Sequence, residues 1–418
     1  MSAPMTPAPV PRRFELDDPA PGLRWLASMP DSVDLSAFEV TEIWALVALA
    51  TQGRLDGPTP IRRQSSQGSK TEQFALAVGF EDALEGRPSR PASEVSRTFP
   101  LTRINRRTAT EPIADDIARR IVVADEHEDA RKSTYYVLNE LLRNVLQHSR
   151  DSLGGIVAAQ RNDRGRNLDR PFIQVAVADG GIGIQESLLP FHKTLTDPRE
   201  ALTKAIEPHI SGTFGEGESG SAQSQNAGMG LFFISEMTKL VGGRLLIASR
   251  GASLILEGRP GAEEGESHHL KFLERGLGFS GTLVAFEMPE EEQAHDDMME
   301  TIRTKARERA PKRALHHWLK FEEPDPEVLG QRFMIQTIKE DAAKAAEMGA
   351  RISQRLMERR PVALDFTGVS VSTQSFLHAL LYQSLRLAWA LQVPIHVVQA
   401  EPAVRSSLEF VENYALGG

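Results

Sequence analysis

The 418-residue chain contains no cysteine, and that absence removes disulfides, thiolate metal sites and cysteine nucleophiles from consideration. No run approaches the ~18 consecutive apolar residues of a membrane span. The opening MSAPMTPAPVPRR also lacks an apolar signal core, so a cytoplasmic location without membrane contact is the expectation. Excess positive charge is missing too: 48 Lys and Arg against 57 Asp and Glu leave −9 and a pI near 5.8. A generally nucleic-acid-binding surface is not indicated, although a local basic patch stays open. Aromatics are few at 6%, while 40% hydrophobic and 25% charged residues are ordinary for a globular protein of several domains.

What is present begins with residues 135–149, YYVLNELLRNVLQHS. Helical spacing places Glu140, Asn144 and His148 at successive i+4 positions that drift only ~40° per step, so a carboxylate, an amide and an imidazole share one face. Leu138, Leu141, Leu142 and Val145 make the opposite, core-facing stripe. Such a polar face is either solvated or the floor of a site for a metal-bound anion; the helix alone leaves both open.

Three further stretches bear on that choice. In VAVADGGIGIQESL, residues 175–188, an apolar strand ends in Asp179, and Gly180, Gly181 and Gly183 let the chain turn tightly and a flat ligand approach the backbone. A strand-end carboxylate there can accept a hydrogen bond from an exocyclic amine, whereas a plain Asp-Gly turn explains the same letters without function. Residues 211–228 are polar and rich in Gly and Ser, and read as a lid that runs into a helix at Gly230 and Leu231. Free N–H groups and the helix dipole make that start a phosphate cradle. Gly281 and Thr282 open a last strand, and no G-x-x-x-x-G-K-[ST] phosphate loop occurs.

Around this centre the expected class is α+β, a helix layer on a mostly antiparallel sheet. Residues 1–22 read as an irregular lead-in. Residues 23–95 form a small α/β module in which SVDLSAFEV is a strand and TEIWALVALATQGRL an amphipathic helix, with a linker at 87–95. Residues 96–292 are the central domain, 293–322 a charged helical linker, and 323–418 a second α/β module with the same strand–helix order. That shared order permits an internal duplication or two unrelated pieces.

The order of motifs, Glu-x-x-x-Asn helix, strand ending D-x-G-x-G-I, Gly-rich lid closing on G-x-G-L, then GT and a strand, resembles the GHKL ATPase superfamily of gyrase, heat-shock chaperones, histidine kinases and mismatch-repair ATPases. The likeness covers residues 98–289, roughly half the chain. It implies a Bergerat-type sandwich that binds ATP and Mg²⁺. By the same likeness Asn144 is the metal ligand, Asp179 holds the adenine amine, and Gly181 and Gly183 line the adenine. Gly228, Met229, Gly230 and Leu231 hold the phosphates, Thr282 supports Asp179, and Glu140 is the catalytic base of the hydrolytic members.

A phospho-accepting histidine of the sensor-kinase kind is not found: His127 lies only 17 positions before Asn144 (144 − 127). Lys204 and Lys239 are available cations, but neither is marked as the distal lysine of gyrase-like enzymes. The helix ending Asn144-Val-Leu-Gln-His148 is most similar to the anti-sigma-factor serine kinases, whose targets are STAS domains. ALDFTGVSVSTQSFLHALL resembles a STAS strand–turn–helix, and SVDLSAFEVTEIWALVALA does so more faintly. Where STAS antagonists carry a phosphorylated Ser, this chain has Gln374. The resemblance therefore implies an ATP-hydrolysing regulatory protein, or a serine/threonine kinase, or a nucleotide sensor without turnover. It also implies an unidentified protein partner and a homodimer formed when ATP closes the lid.

Overall fold

A computed structural model describes residues 9–28, 32–54, 56–57, 62–64, 69–88, 97–105, 110–122, 127–162, 171–190, 192–208, 210, 229–259, 268–290, 294–308, 317–324 and 331–417. The chain divides into two compact units. The first takes residues 1–108, 112–204 and 234–293; the second takes 109–111, 205–233 and 294–418.

The N-terminal part supplies β1 (Arg13–Phe14), α1 (Ala20–Ala27), β2 (Ser32–Asp34), β3 (Val40–Thr41), α2 (Ile43–Gln52), β4 (Arg62–Gln64), α3 (Lys70–Ala77) and α4 (Phe80–Glu85). The middle supplies β5 (Thr98–Ile104), α5 (Thr110–Ile121), α6 (Glu128–His148), β6 (Gly155–Asn162), β7 (Phe172–Asp179), α7 (Ile184–Leu188), α8 (Pro198–Ala205) and α9 (Gly230–Val241). Strands β8 (Arg244–Ser249), β9 (Ala252–Gly258), β10 (His268–Phe272) and β11 (Thr282–Pro289) follow. The last part holds α10 (His295–Glu308), β12 (Leu319–Lys320), β13 (Gln331–Met334), α11 (Ala342–Met357), β14 (Val362–Asp365), α12 (Gln374–Leu391), β15 (Ile395–Val398) and α13 (Pro402–Gly417).

The first unit is built on a seven-stranded sheet of order β10-β9-β8-β11-β7-β6-β5, antiparallel at every described pairing. The chain thus mixes helix and strand around a large antiparallel sheet, which is compatible with the expected α+β class. Strand β7 is buried at every position because both faces of the sheet are covered. On one face α6 packs against β6 and β7, where Val145 sits so close to Gly155 that a Cβ on the glycine would meet it at 2.7 Å. The other face carries Ile156, Ala158, Ala176, Ala178, Ala248, Leu283 and Ala285, aligned by the register pairs Ile156 with Ala178, Ala158 with Ala176, and Leu283 with Ala178. Short alanine side chains let a helix approach such a surface closely, and α2 lies there.

That packing corrects two expectations. The N-terminal part is not a separate module: its apolar side chains and those of the sheet form one continuous core, a third layer. Helix α2, IWALVALATQ, is not amphipathic but buried at all of its 10 positions, as a helix apolar on every side must be. Its outer side meets Phe14, whose ring makes edge-to-face contacts with Phe38 at 4.9 Å, Trp25 at 5.7 Å and Trp44 at 6.0 Å. The expected irregular lead-in likewise contains β1, the start of α1 and the fully buried Phe14 and Leu16. Residues 70–85 form two helices, α3 and α4, separated at Gly79, which adopts φ +74°. Most of the expected linker at 87–95 lies outside the described residues.

The second unit centres on a parallel sheet of order β12-β15-β14-β13 with its own apolar core. Helices α11 and α12 pack so tightly that a Cβ on Gly349 would meet the Leu380 carbonyl oxygen at 2.5 Å. The expected solvated linker at 293–322 is also corrected. Met299, Ile302 and Ala306 of α10 are buried, Arg303 donates to the Ser407 hydroxyl at 2.5 Å, and β12 is an edge strand of the sheet. The buried Glu412 carboxylate of α13 holds that edge by accepting from the N–H groups of Trp318 (2.5 Å) and Leu319 (2.8 Å). No helix of the described residues is long and apolar enough to cross a membrane.

Candidate functional site

Helix α6 and the turn after β7 meet at one end of the sheet. The Ser149 carbonyl, just past the helix, accepts from the Ile182 N–H at 2.8 Å, which ties the helix end to the glycine turn. Asp179 stands in register with Gly155 on β6 and Thr282 on β11, so it is flanked by strands on both sides. The structure thus gathers Asp179, Gly181, Gly183 and Thr282 around one strand end, while Asn144 lies on α6 next to Val145, which packs against Gly155. Asn144 is half-buried, and among the described residues nothing hydrogen-bonds to its carboxamide.

The turn is over-determined. The Gly181 N–H donates to Asp179 Oδ1 at 2.8 Å, and the Gly180 N–H donates to Asp151 Oδ2 at 2.8 Å. Glycine is obligatory at 181, because a Cβ there would lie 1.9 Å from the Ser149 carbonyl oxygen. At Gly183 φ is +81° and a Cβ would meet Ser249 Oγ at 2.9 Å; that hydroxyl accepts from the Ile184 N–H at 2.9 Å and donates to the Gly281 carbonyl at 3.0 Å. Arg250 closes the far side by donating to the carbonyls of Gly181 (2.7 Å) and Ser280 (2.9 Å).

Asp179 is only 4% exposed. Burial pushes its carboxyl up to about 7; the Gly181 N–H opposes that rise, the Asp151 charge reinforces it, and Arg54 and the Thr282 N–H oppose it. At the end of α6 burial, aided by the Arg150 charge, pushes His148 down to about 4, so the imidazole is neutral near pH 7.

The polar face of α6 is mixed: Asn144 and His148 are half-buried and Glu140 is buried. Glu140 is 1% exposed, and its Oε1 lies 3.9 Å from the equally buried Arg143 guanidinium. Met229, Gly230 and Leu231 fall in the second unit, where Met229 is buried and the next turn of α9 sets Phe233 edge-on to Phe410 of α13 at 6.4 Å. Gly228, expected beside them, lies outside the described residues, as do 211–227. Lys239 pairs with Glu236 at 2.5 Å on the same helix. Among the described residues no three His, Asp or Glu side chains gather as a metal cluster.

Four residues in this arrangement carried no signal in sequence: Arg54, Asp151, Ser249 and Arg250. They hold the turn across distances of 29 to 97 positions along the chain, and only folding brings them together. Searched against known proteins, the chain matches no family model and no curated relative.

Proposed function

We propose that the chain is a Mg²⁺-ATP-binding regulatory protein of the GHKL type, whose C-terminal unit is a STAS-like interaction module. The observation that carries this reading is Asp179: a buried strand-end carboxyl beside a turn only glycine can make, next to a helix that offers Asn144. An adenine amine would donate to Asp179, and the side-chain-free turn leaves room for a flat base. Asn144 would be the single protein ligand of Mg²⁺, which ordinarily takes one or two side chains and completes its shell from phosphate oxygens and water. Bound Mg²⁺ supplies charge neutralisation for the phosphates. Met229, Gly230 and Leu231 open a helix, the usual setting for phosphate.

Glu140 then separates two versions of the function. As a general base it would orient and deprotonate water for slow hydrolysis. Its 1% exposure beside Arg143 favours a second reading, a nucleotide sensor without turnover, because a base must reach water. Transfer to the chain's own C-terminal hydroxyls is disfavoured: Ser372 and Thr373 are buried and donate to the Glu340 carboxylate at 2.7 and 3.0 Å.

The test uses ATP labelled at the γ-phosphate. Hydrolysis releases all label as phosphate and is lost in Glu140→Ala; a kinase leaves label on protein; a sensor does neither while still binding. Saturating Mg²⁺-ATP at ~100 times Kd adds about 2.7 kcal/mol to thermal stability. Asp179→Asn and Asn144→Ala should each remove that gain, and full retention in both refutes the site.

A further inference from the structure

We infer that Arg54 and Asp151 are positioning residues for the base-recognising turn, so that the N-terminal layer is a working part of the nucleotide site and not only a cover for the sheet. The inference rests on the ATP reading for its ligand, but its geometry stands without one. Arg54 follows α2 directly, and its guanidinium is 4% exposed at the side chain. One arm donates to Asp151 Oδ2 at 2.7 Å and the other to the Gly154 carbonyl at 2.8 Å. Asp151 Oδ2 also takes the Gly180 N–H at 2.8 Å, and Oδ1 takes the Leu153 N–H at 2.9 Å.

Asp151 is therefore a relay with Arg54 behind it and the residue after Asp179 in front. The space is closed as well: a Cβ on Gly180 would lie 2.9 Å from Arg54 Nη2 and 3.1 Å from Asp151 Oδ2. Buried ion pairs of this kind cost desolvation and are weak evidence for stability as such, yet removing one partner leaves the other charge stranded. Here the stranded charge would sit one peptide from Asp179. Charged groups facing that turn are Asp151 from the α6–β6 connection, Arg54 from the N-terminal layer and Arg250 from the β8–β9 turn.

The two charges act on Asp179 with opposite sign, and that separates positioning from simple loosening. The experiment follows the Asp179 carboxyl by ¹³C NMR in ligand-free full-length chain labelled at Asp, with Asp179→Asn identifying the resonance. Arg54→Met should move the Asp179 midpoint up, Asp151→Asn should move it down, and Arg54→Lys, which keeps the charge, should leave it near wild type. Mg²⁺-ATP titrations of the same proteins should show Arg54→Met weakened by about tenfold or more at pH 7, as expected for one stranded buried charge. Midpoints that move the same way, or not at all, overturn the inference even if ATP binds normally. Opposite shifts in a protein that binds no ATP sustain the positioning role and sink the ATP reading instead.

Discussion

The N-terminal and C-terminal parts share a strand–helix–strand–helix order and end in different states. The C-terminal part closes a parallel sheet of its own, with α12 showing Arg386 and Trp389 to solvent and Leu380, Leu381 and Leu385 to the core. Among the described residues the N-terminal part forms two-stranded pairs, β1 with β3 and β2 with β4, and its apolar helix packs on the large sheet. Element order thus does not define a domain. The distribution of apolar residues around each helix does: an amphipathic helix can finish a small core, whereas one that is apolar all round needs partners on both sides.

The largest expected effect breaks that comparison outright. Removing residues 1–88 uncovers the alanine-and-leucine face of the sheet, and the remaining chain should lose its cooperative unfolding transition and aggregate. Removing 294–418 should leave a cooperative transition for the sheet, measured by circular dichroism on heating.

Two tryptophans sharpen the contrast. Trp44 of α2 is fully buried, and Trp44→Ala should cost about 3–5 kcal/mol. Trp389 of α12 is 56% exposed, and Trp389→Ala should stay within about 0.5 kcal/mol. Denaturant midpoints read both, and similar losses would contradict the assignment of α2 as a middle layer.

The first unit carries a large pH-dependent contribution at Asp179. Asp179 rises from an unfolded value of 3.8 to about 7 in the fold, so the native state holds its proton more tightly. Its contribution to stability is full below pH 4 and is lost as pH rises toward 7, by up to about 4 kcal/mol. Asp179→Asn should remove that component, so the wild-type-minus-variant difference in unfolding free energy falls between pH 4 and 7. A flat difference would mean that Asp179 ionises freely in the fold.

The smallest contrast pairs two glycines. Gly181→Ala drives a Cβ into the Ser149 carbonyl and should cost about 1–3 kcal/mol. Gly349→Ala crowds the Leu380 carbonyl but gains roughly 1 kcal/mol of helix propensity, so its net cost should be the smaller.

The inner strands of the central sheet were legible in sequence because they are short apolar runs punctuated by glycine, and β7 ends at Asp179; its edge strands β5 and β10 carried no such signal. Helix α6 itself was legible from its apolar stripe, but its packing on β6 and β7 was suggested only by the resemblance in motif order. Three features were not legible. Helix α2 departs from the expected amphipathic helix because IWALVALATQ is apolar around nearly its whole circumference. The end of the charged connector was read as helix although Leu319 and Lys320 pair with Ile395 and His396, a two-residue strand too short to show a period. Arg54 and Asp151 were invisible because nothing in either neighbourhood announces a contact across 97 positions.

The most direct measurement of the central claim is a calorimetric titration of the full chain with Mg²⁺-ATP and, separately, Mg²⁺-GTP. ATP should give a saturable one-site isotherm that is absent for GTP and abolished by Asp179→Asn. No heat from ATP in the wild-type chain, or an unchanged isotherm in Asp179→Asn, would contradict it.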